Sequence, residues 1–544
     1  MQLLKRLAGG VPALALLLSA CTHVSQGPVA GGRHAFTVPH VLRFADISDP
    51  DNLNEYLSTM DLVYFLSSML YSYLVVANDQ GQLQGDLATE VPTLANGGIS
   101  RDGKTYVYHL HRGVLWHDGE PLTSADVKFS WQAVVNPNNN TLHREGYTEI
   151  ASVDTPDKYT VVVHLKRRYP PFVTKFFTPL QEGGKPILPE HILGKYRSIN
   201  QVPFNSAPIG SGPFRFLKWE RGREIVFERF DKYFKGVPKL ERIEFSVIPE
   251  DQTVLNEVRL HHVDLVASPP TTLYARYRSL PDVTTELYPW NSQSLLIINQ
   301  SHAGLDDVRV RRALVASIDY AGLIDKLTHG SAEPAYDIIP PTAIGYVKNP
   351  PYAYDPAAAN AQLDAAGYKR GADGVRSNGR VRLEYTLATI SGSDSIRMIA
   401  VQLQHYFAAI GVRLDVKPYA YNDIFTPDGP IYGNRYDFAT YGVTMSWDPD
   451  MLYYIGCDYF YPKGENVYRY CNPQVDALEK AGLTTDDPAK RAAIYSKAER
   501  LIWQTIPYIP LYERRRIAVR SPDLRNFKVN PSSTPWYNMW QWDI

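Results

Sequence analysis

The chain opens on a segment that fixes where the rest of it must fold. Lys5 and Arg6 precede Leu7–Ala20, which is almost wholly apolar and ends on Ser19 and Ala20 ahead of Cys21. A basic start, a short apolar run and small closing residues make an export signal. The run is shorter than the roughly 20 residues a helix needs to cross a bilayer. No later stretch offers about 18 uninterrupted apolar residues. The expectation is a soluble body outside the cytosol, and not a channel or permease. Residues 22–40, rich in Gly, Ser and Pro, read as a flexible tether spanning roughly 25 Å.

Composition narrows the classes further. With 56 Lys+Arg against 57 Asp+Glu, the formal net charge is -1, so no large single-sign field exists for a nucleic-acid partner. Hydrophobic residues at 44% and charged residues at 21% describe an ordinary globular chain and exclude disorder, collagen and coiled coil. At roughly 150 residues per domain the length suggests three or four compact units. The 37 tyrosines suit a wet cleft, where a ring covers apolar surface while its hydroxyl reaches ligand or water; they are also common in ordinary sheets. Outside the cytosol, Cys457 and Cys471 are expected to pair as a disulfide, the alternative being two separate buried thiols.

Helix ends are legible along the body. Asp306 and Asp307 precede Val310, Leu314, Ile318, Ile324 and Leu327 at helical spacing, closed by Gly330. Asp355-Pro356 opens a helix over 357–366 before Gly367, with an N-cap and a proline at the first position. Ile396, Ile399, Leu403, Phe407 and Ile410 recur before Gly411, and a last helix runs from Asp487-Pro488 to about Ile506. Strands alternate with them. Val412, Leu414 and Val416 oppose Arg413, Asp415 and Lys417, and 295–299 and 225–230 read similarly. From about Asn291 onward, strand and helix alternate as in α/β units, whereas 87–209 has hairpin-like strands such as 106–110 and 160–165.

Several chemical motifs fail on context. Gly98 to Thr105 fits the Walker A pattern, yet a phosphate loop must follow a buried strand and open a helix, and Tyr106–His111 alternates as a strand does. Asp102-Gly103 therefore reads as a hairpin turn. No G-x-S-x-G elbow, S-x-x-K pair or H-E-x-x-H run appears, so the common serine and zinc hydrolase signatures are missing and no catalytic residue is assigned. His109 and His111 share a strand face without a third ligand at useful spacing, and neither a metal nor a cofactor is expected.

Four stretches together resemble the family 5 extracellular solute-binding proteins, the peptide/nickel/oligosaccharide-binding components of ABC importers. They are Tyr106–Val127 with its Leu115-Trp116-His117-Asp118-Gly119 centre, Ile209-Gly210-Ser211-Gly212-Pro213-Phe214 followed by Arg229–Gly236, Asp306–Leu314 with Ser317-Ile318-Asp319, and Tyr354-Asp355-Pro356 through Ala365-Ala366-Gly367-Tyr368. The N-terminus resembles a bacterial lipoprotein signal, which implies cleavage after residue 20, acylation of Cys21 and anchoring at the extracytoplasmic face of a membrane. The family resemblance implies a type II periplasmic-binding-protein fold of the α/β class. One lobe would comprise 41–290 plus 512–544, with an inserted subdomain at about 87–205, and the other 291–511. Crossovers near Trp290–Asn299 and Ile509–Glu513 would form the hinge.

What the resemblance implies for function is a monomer without enzymatic activity. It would capture a small solute or peptide in an interlobe cleft and deliver it to an ABC permease. A secreted hydrolase and a ligand sensor or chaperone are the alternatives. In the family, the loop that here spans Tyr436–Asp450 lines the cleft, and peptide binders often carry an Asp there for the ligand's ammonium; Met445 or Ser446 takes that place, with Asp448 as a substitute or merely a turn cap. Tyr441, Met445 and Trp447 in that loop, Trp290, Asn291 and Ser292 at the crossover, Ser211 and Gly212 in the turn, and Asp49 and Thr59 near the first strand complete the expected ligand set.

Overall fold

The computed structural model describes residues 32–544 apart from 59, 142, 145, 180–183, 337–338, 392, 446, 486 and 532–534. The expected signal, Cys21 and residues 22–31 of the expected tether lie outside the described residues; the remainder of that stretch is fixed to the body and not free, with the His34 N–H and Thr37 Oγ1 both donating to Asp523 at 2.6 Å. One mixed sheet of eleven strands organises the chain. Its order is Arg413–Tyr419, Glu384–Ile390, Phe438–Thr444, Thr284–Ile298, Tyr508–Arg520, Leu265–Val266, Val41–Asp46, Arg242–Val247, Glu224–Arg229 and Phe214–Glu220, with Ala332–Glu333 added beside Tyr508–Arg520.

Two strands at the centre are much longer than the rest. Thr284–Ile298 and Tyr508–Arg520 pair antiparallel and join two packing units. On one side Leu42, Phe44, Phe245 and Trp542 belong to one core, and Val254, Tyr277, Ile517 and Val519 to a second. On the other side Leu296, Leu314, Leu387 and Leu511 form a core, with Ile297, Ala439, Met451 and Ile502 in another. Each long strand thus has its two ends packed in different units, Leu287 lying against the core that holds Ile517 while Leu296 and Leu511 share another. Residues 295–298 are buried on both faces, as their continuous apolar run requires.

The capping signals act where the sequence placed them. Asp355 accepts the Ala358 N–H at 2.8 Å at the head of Pro356–Ala365. Asp487 accepts the N–H groups of Ala489 and Lys490 ahead of Pro488–Thr505, and Asp394–Ala409 is capped by Ser393. The periodic run after Asp307 is two helices, not one. Val308–Ala316 ends at Ser317, whose hydroxyl donates to the Leu314 carbonyl, and Asp319 caps a new helix, Tyr320–Thr328, through the Gly322 N–H. An internal aspartate that can bond the backbone offers a cap in place of a continued turn.

Strands Thr105–His109, Thr160–Leu165 and Ile150–Asp157 form a separate antiparallel sheet, with helix Ser124–Val135 packed on it behind a Thr123–Asp126 capping box. The Walker-like stretch is a turn: the Gly103 N–H donates to the Ser100 carbonyl, Gly103 has φ +68°, and Ile99 pairs with Tyr106. Cys457 and Cys471 are joined by a disulfide. Among the described residues no helix is long and apolar enough to cross a membrane.

Candidate functional site

In open α/β sheets ligands collect outside the carboxyl ends of parallel strands. Val41–Asp46 runs parallel to Arg242–Val247 and Leu265–Val266 in the first unit, and Glu384–Ile390 parallel to Arg413–Tyr419 and Phe438–Thr444 in the second. Segments leaving these ends converge on a cavity of about 520 Å³. The first unit supplies Asp61, Asp251 and residues 268–272, the second Thr328, Ser331, Ala332 and Ser395, and the long strands Trp290, Tyr512 and residues 514–517. That volume lies within the ~300–1,000 Å³ of small-molecule sites.

A bulge brings Trp290 there. Pro289 pairs with Arg515 and Gln293 with Glu513, so Trp290, Asn291 and Ser292 together oppose Arg514. Such a bulge bends its strand and re-aims a side chain. The guanidinium carbons of Arg514 and Arg516 lie 4.5 and 4.7 Å from the Trp290 ring centre. Arg516 also stands 4.8 Å over the Phe65 ring. Phe65 belongs to helix Asp61–Leu70, in which every residue after Asp61 is buried. Arg516 is itself buried, and among the described residues neither its three nitrogens nor Trp290 Nε1 meets an acceptor. Burial pushes its guanidinium down to about 10, with Asp61 pulling the other way, so it remains a cation at neutral pH. The Asp251 carboxyl is raised by burial and by neighbouring Glu250.

Of the residues singled out from sequence, Trp290 lines this cavity. Asn291 sits behind it, its side-chain oxygen accepting from Thr342 Oγ1 at 3.2 Å and its carbonyl from the Met445 N–H at 2.7 Å. Ser292 is buried with its hydroxyl 3.5 Å from Arg514 Nη1. Met445 is part of an apolar core. Trp447 is buried against Ala77 and the turn at Gly81, where an added Cβ would lie 2.9 Å from its ring, so it joins the second unit to a hairpin of the first.

Asp448 is committed elsewhere: Arg491 Nη1 and Nη2 donate to its two oxygens at 2.6 and 2.8 Å, with both side chains buried. The sequence pattern left it open as an ammonium receptor or a turn cap; the structure gives it the turn cap, with the Asp450 N–H donating to its Oδ1 at 3.2 Å, and adds a buried ion pair. Asp49 accepts from Trp219 Nε1 and the Gly222 N–H. Gly212 bonds Leu70, and a Cβ there would meet the Met69 carbonyl at 2.5 Å, while the Ser211 carbonyl accepts from Ser72. That turn packs backbone on backbone. Thr59 and the side chain of Tyr441 lie outside the described residues; the Tyr441 backbone pairs with Leu295.

Sequence reasoning missed Arg514 and Arg516. The available signal was three consecutive arginines between the apolar runs 508–512 and 517–519 of one strand; of the three, Arg516 is buried, where a charge needs a reason. Asp61 and Asp251 carried no signal of their own. Among the described residues no group of three or more His, Cys, Asp or Glu is placed to hold a metal.

Comparison with known proteins adds a second line of evidence. Residues 82–461, more than half of the chain, match the family described as bacterial extracellular solute-binding proteins, family 5 Middle. The oligopeptide-binding protein AppA of Bacillus subtilis is 27% identical over 550 residues, which cover 97% of this chain and 96% of that protein. The solved structure of AppA from Bacillus subtilis in complex with a nonapeptide matches with TM-score 0.74 at 25% identity, covering 92% of this chain and 98% of that one. NikZ from Campylobacter jejuni in complex with Ni(L-His) matches with TM-score 0.76 at 24% identity, covering 93% and 100%. The fold is that of type II periplasmic binding proteins, as the sequence resemblance implied.

Proposed function

The chain belongs to the family 5 bacterial extracellular solute-binding proteins, and from that premise we propose that it captures a small peptide-like solute between two lobes and hands it, unaltered, to an ABC permease. The observation that carries this reading is the cavity itself. Its walls come from both packing units and from the two strands that join them, so an occupant would touch every part that must move in a closure. Such a ligand favours the closed form only to the extent that it binds that form better than the open one. The similarity to a protein named as oligopeptide-binding, and solved with a nonapeptide, supports peptides as the class.

Residues 41–290 with 512–544 make one lobe in this reading, 291–511 the other, and 87–205 an inserted subdomain. The division of the cores on either side of the long strands supports it. Trp447 acts as a latch between the lobes. Acylated Cys21 holds a monomer at the extracytoplasmic face of a membrane.

A thermal-shift screen with defined peptide pools tests the function: a pool that raises the melting temperature and is recovered intact supports capture without chemistry. Cleavage of that pool by the purified protein would overturn it. Mass analysis of the mature N-terminus tests the anchor, which predicts a diacylglyceryl-modified Cys21.

A further inference from the structure

Among the described residues four arginines are buried to nearly the same degree, Arg311, Arg376 and Arg491 at 4% exposure and Arg516 at 3%. Three of them end on protein acceptors. Arg311 donates to the carbonyls of Leu305, Thr505 and Ile506. Arg376 donates to the carbonyls of Ile410 and Tyr368 and to Asp364. Arg491 donates to Asp448 and to the Gly482 carbonyl. Among the described residues Arg516 has no acceptor at Nε, Nη1 or Nη2.

A buried cation without hydrogen bonds costs the folded state heavily. Here that cost falls on a cavity wall. The rings of Trp290 and Phe65 hold the guanidinium through its charge and leave its edge donors open. Trp290 Nε1, another donor without a protein acceptor, stands beside it, and Arg514 adds a second positive charge on the same face of the strand. Asp61 attracts Arg516 through space but accepts no hydrogen bond from it. In the loop after Thr444, Asp448 is already neutralised by Arg491.

We infer that Arg516 is the anchor for a carboxylate on the ligand, with Trp290 Nε1 as a supporting donor, so that the cavity selects solutes carrying an anionic end. A guanidinium receives a carboxylate through two parallel N–H donors, which fixes orientation as well as charge. The inference rests on the reading that this cavity holds the ligand and adds which chemical end of it is gripped.

The test uses the mature protein and three pools of tripeptides: apolar residues with a free carboxyl terminus, the same sequences as C-terminal amides, and amides carrying one Glu. Native mass spectrometry and calorimetry read retention and affinity. The free-acid pool, the Glu-containing pool or both should bind at least about thirtyfold tighter than the apolar amides. Which one does so tells a terminal carboxylate from a side-chain one. Apolar amides binding as well as acids would overturn the carboxylate anchor and leave peptide capture standing. Retention of no pool would overturn peptide capture and the anchor with it. Arg516→Met should erase the preference while the ligand-free protein melts no lower than wild type, and Arg516→Lys, which keeps the charge, should retain part of it. Undiminished preference in Arg516→Met would assign the discrimination elsewhere.

Discussion

Arg491 and Arg516 are the same residue in two regions of one molecule, equally removed from water and oppositely provided for. Beneath the second unit, Arg491 meets Asp448 in two short bonds and spends a third on a carbonyl. Burial alone would pull its pKa down, but the charge and hydrogen bonds of Asp448 outweigh it and raise it. Nearby Glu479 is pushed well up by burial and by Asp450, and it accepts the Met451 N–H. The charge of Arg491 is answered by the chain. Beside the cavity, Arg516 is met, among the described residues, by ring faces and the through-space charge of Asp61, with no hydrogen bond. A charge neutralised from within holds a fold together; one left open on a cavity wall is suited to a guest.

The sharpest way to break the contrast is to make Arg491 resemble Arg516. Asp448→Ala leaves a buried unpaired cation and should cost about 3–5 kcal/mol, read by urea unfolding; a loss below about 1 kcal/mol would mean that Arg491 was not relying on Asp448.

A buried acid offers the next largest effect. Glu55 accepts from Tyr73 at 2.7 Å, and burial raises its pKa from 4.5 to about 8, against the opposing pull of the Tyr73 hydrogen bond and the charge of Lys185. The folded state therefore holds this proton up to about pH 8, while the unfolded chain releases it near 4.5. The stabilisation is complete below the unfolded value and is lost as pH rises through the folded one. Between pH 5 and 8 the loss should be roughly 2–4 kcal/mol, and Glu55→Gln should flatten it. An equal slope in the variant would assign the pH dependence to another group.

Trp447→Ala removes the contact between the second unit and the Gly81 turn. About a tenfold loss of ligand affinity is expected, or ~1.4 kcal/mol, with the protein still folded; unchanged affinity would show that the contact plays no part in closure. The smallest effect has the opposite sign. Arg516→Met exchanges an unpartnered charge for an apolar side chain and should raise the ligand-free melting temperature by roughly 2–4 °C, whereas Arg491→Met should lower it. Two decreases of equal size would erase the distinction between the regions.

Much of the frame was legible because its signals are local. Asp355-Pro356 and Asp487-Pro488 start helices by bonding N–H groups two or three residues on, and alternation over 412–417 marks a strand whichever sheet receives it. Asp102-Gly103 could be read as a turn against a misleading phosphate pattern for the same reason. Periodicity alone carried the helix after Asp307 too far, because Asp319 makes a cap where spacing saw continuity. The expected ligand residues fared differently. Trp290 lines the cavity, while Asp49, Ser211, Gly212 and Asp448 hold neighbouring backbone or side chains in place.

From its sequence this chain declared an α/β body, where its helices and strands begin, and the family-level pattern of four of its stretches. Only the folded arrangement decided which buried charges would be neutralised. Asp448 finds Arg491, and Arg516 finds Trp290 and Phe65, across long stretches of chain. Secondary structure is set by neighbours a few residues away, whereas the free energy of a buried charge is set by whatever the whole fold brings within about 4 Å of it.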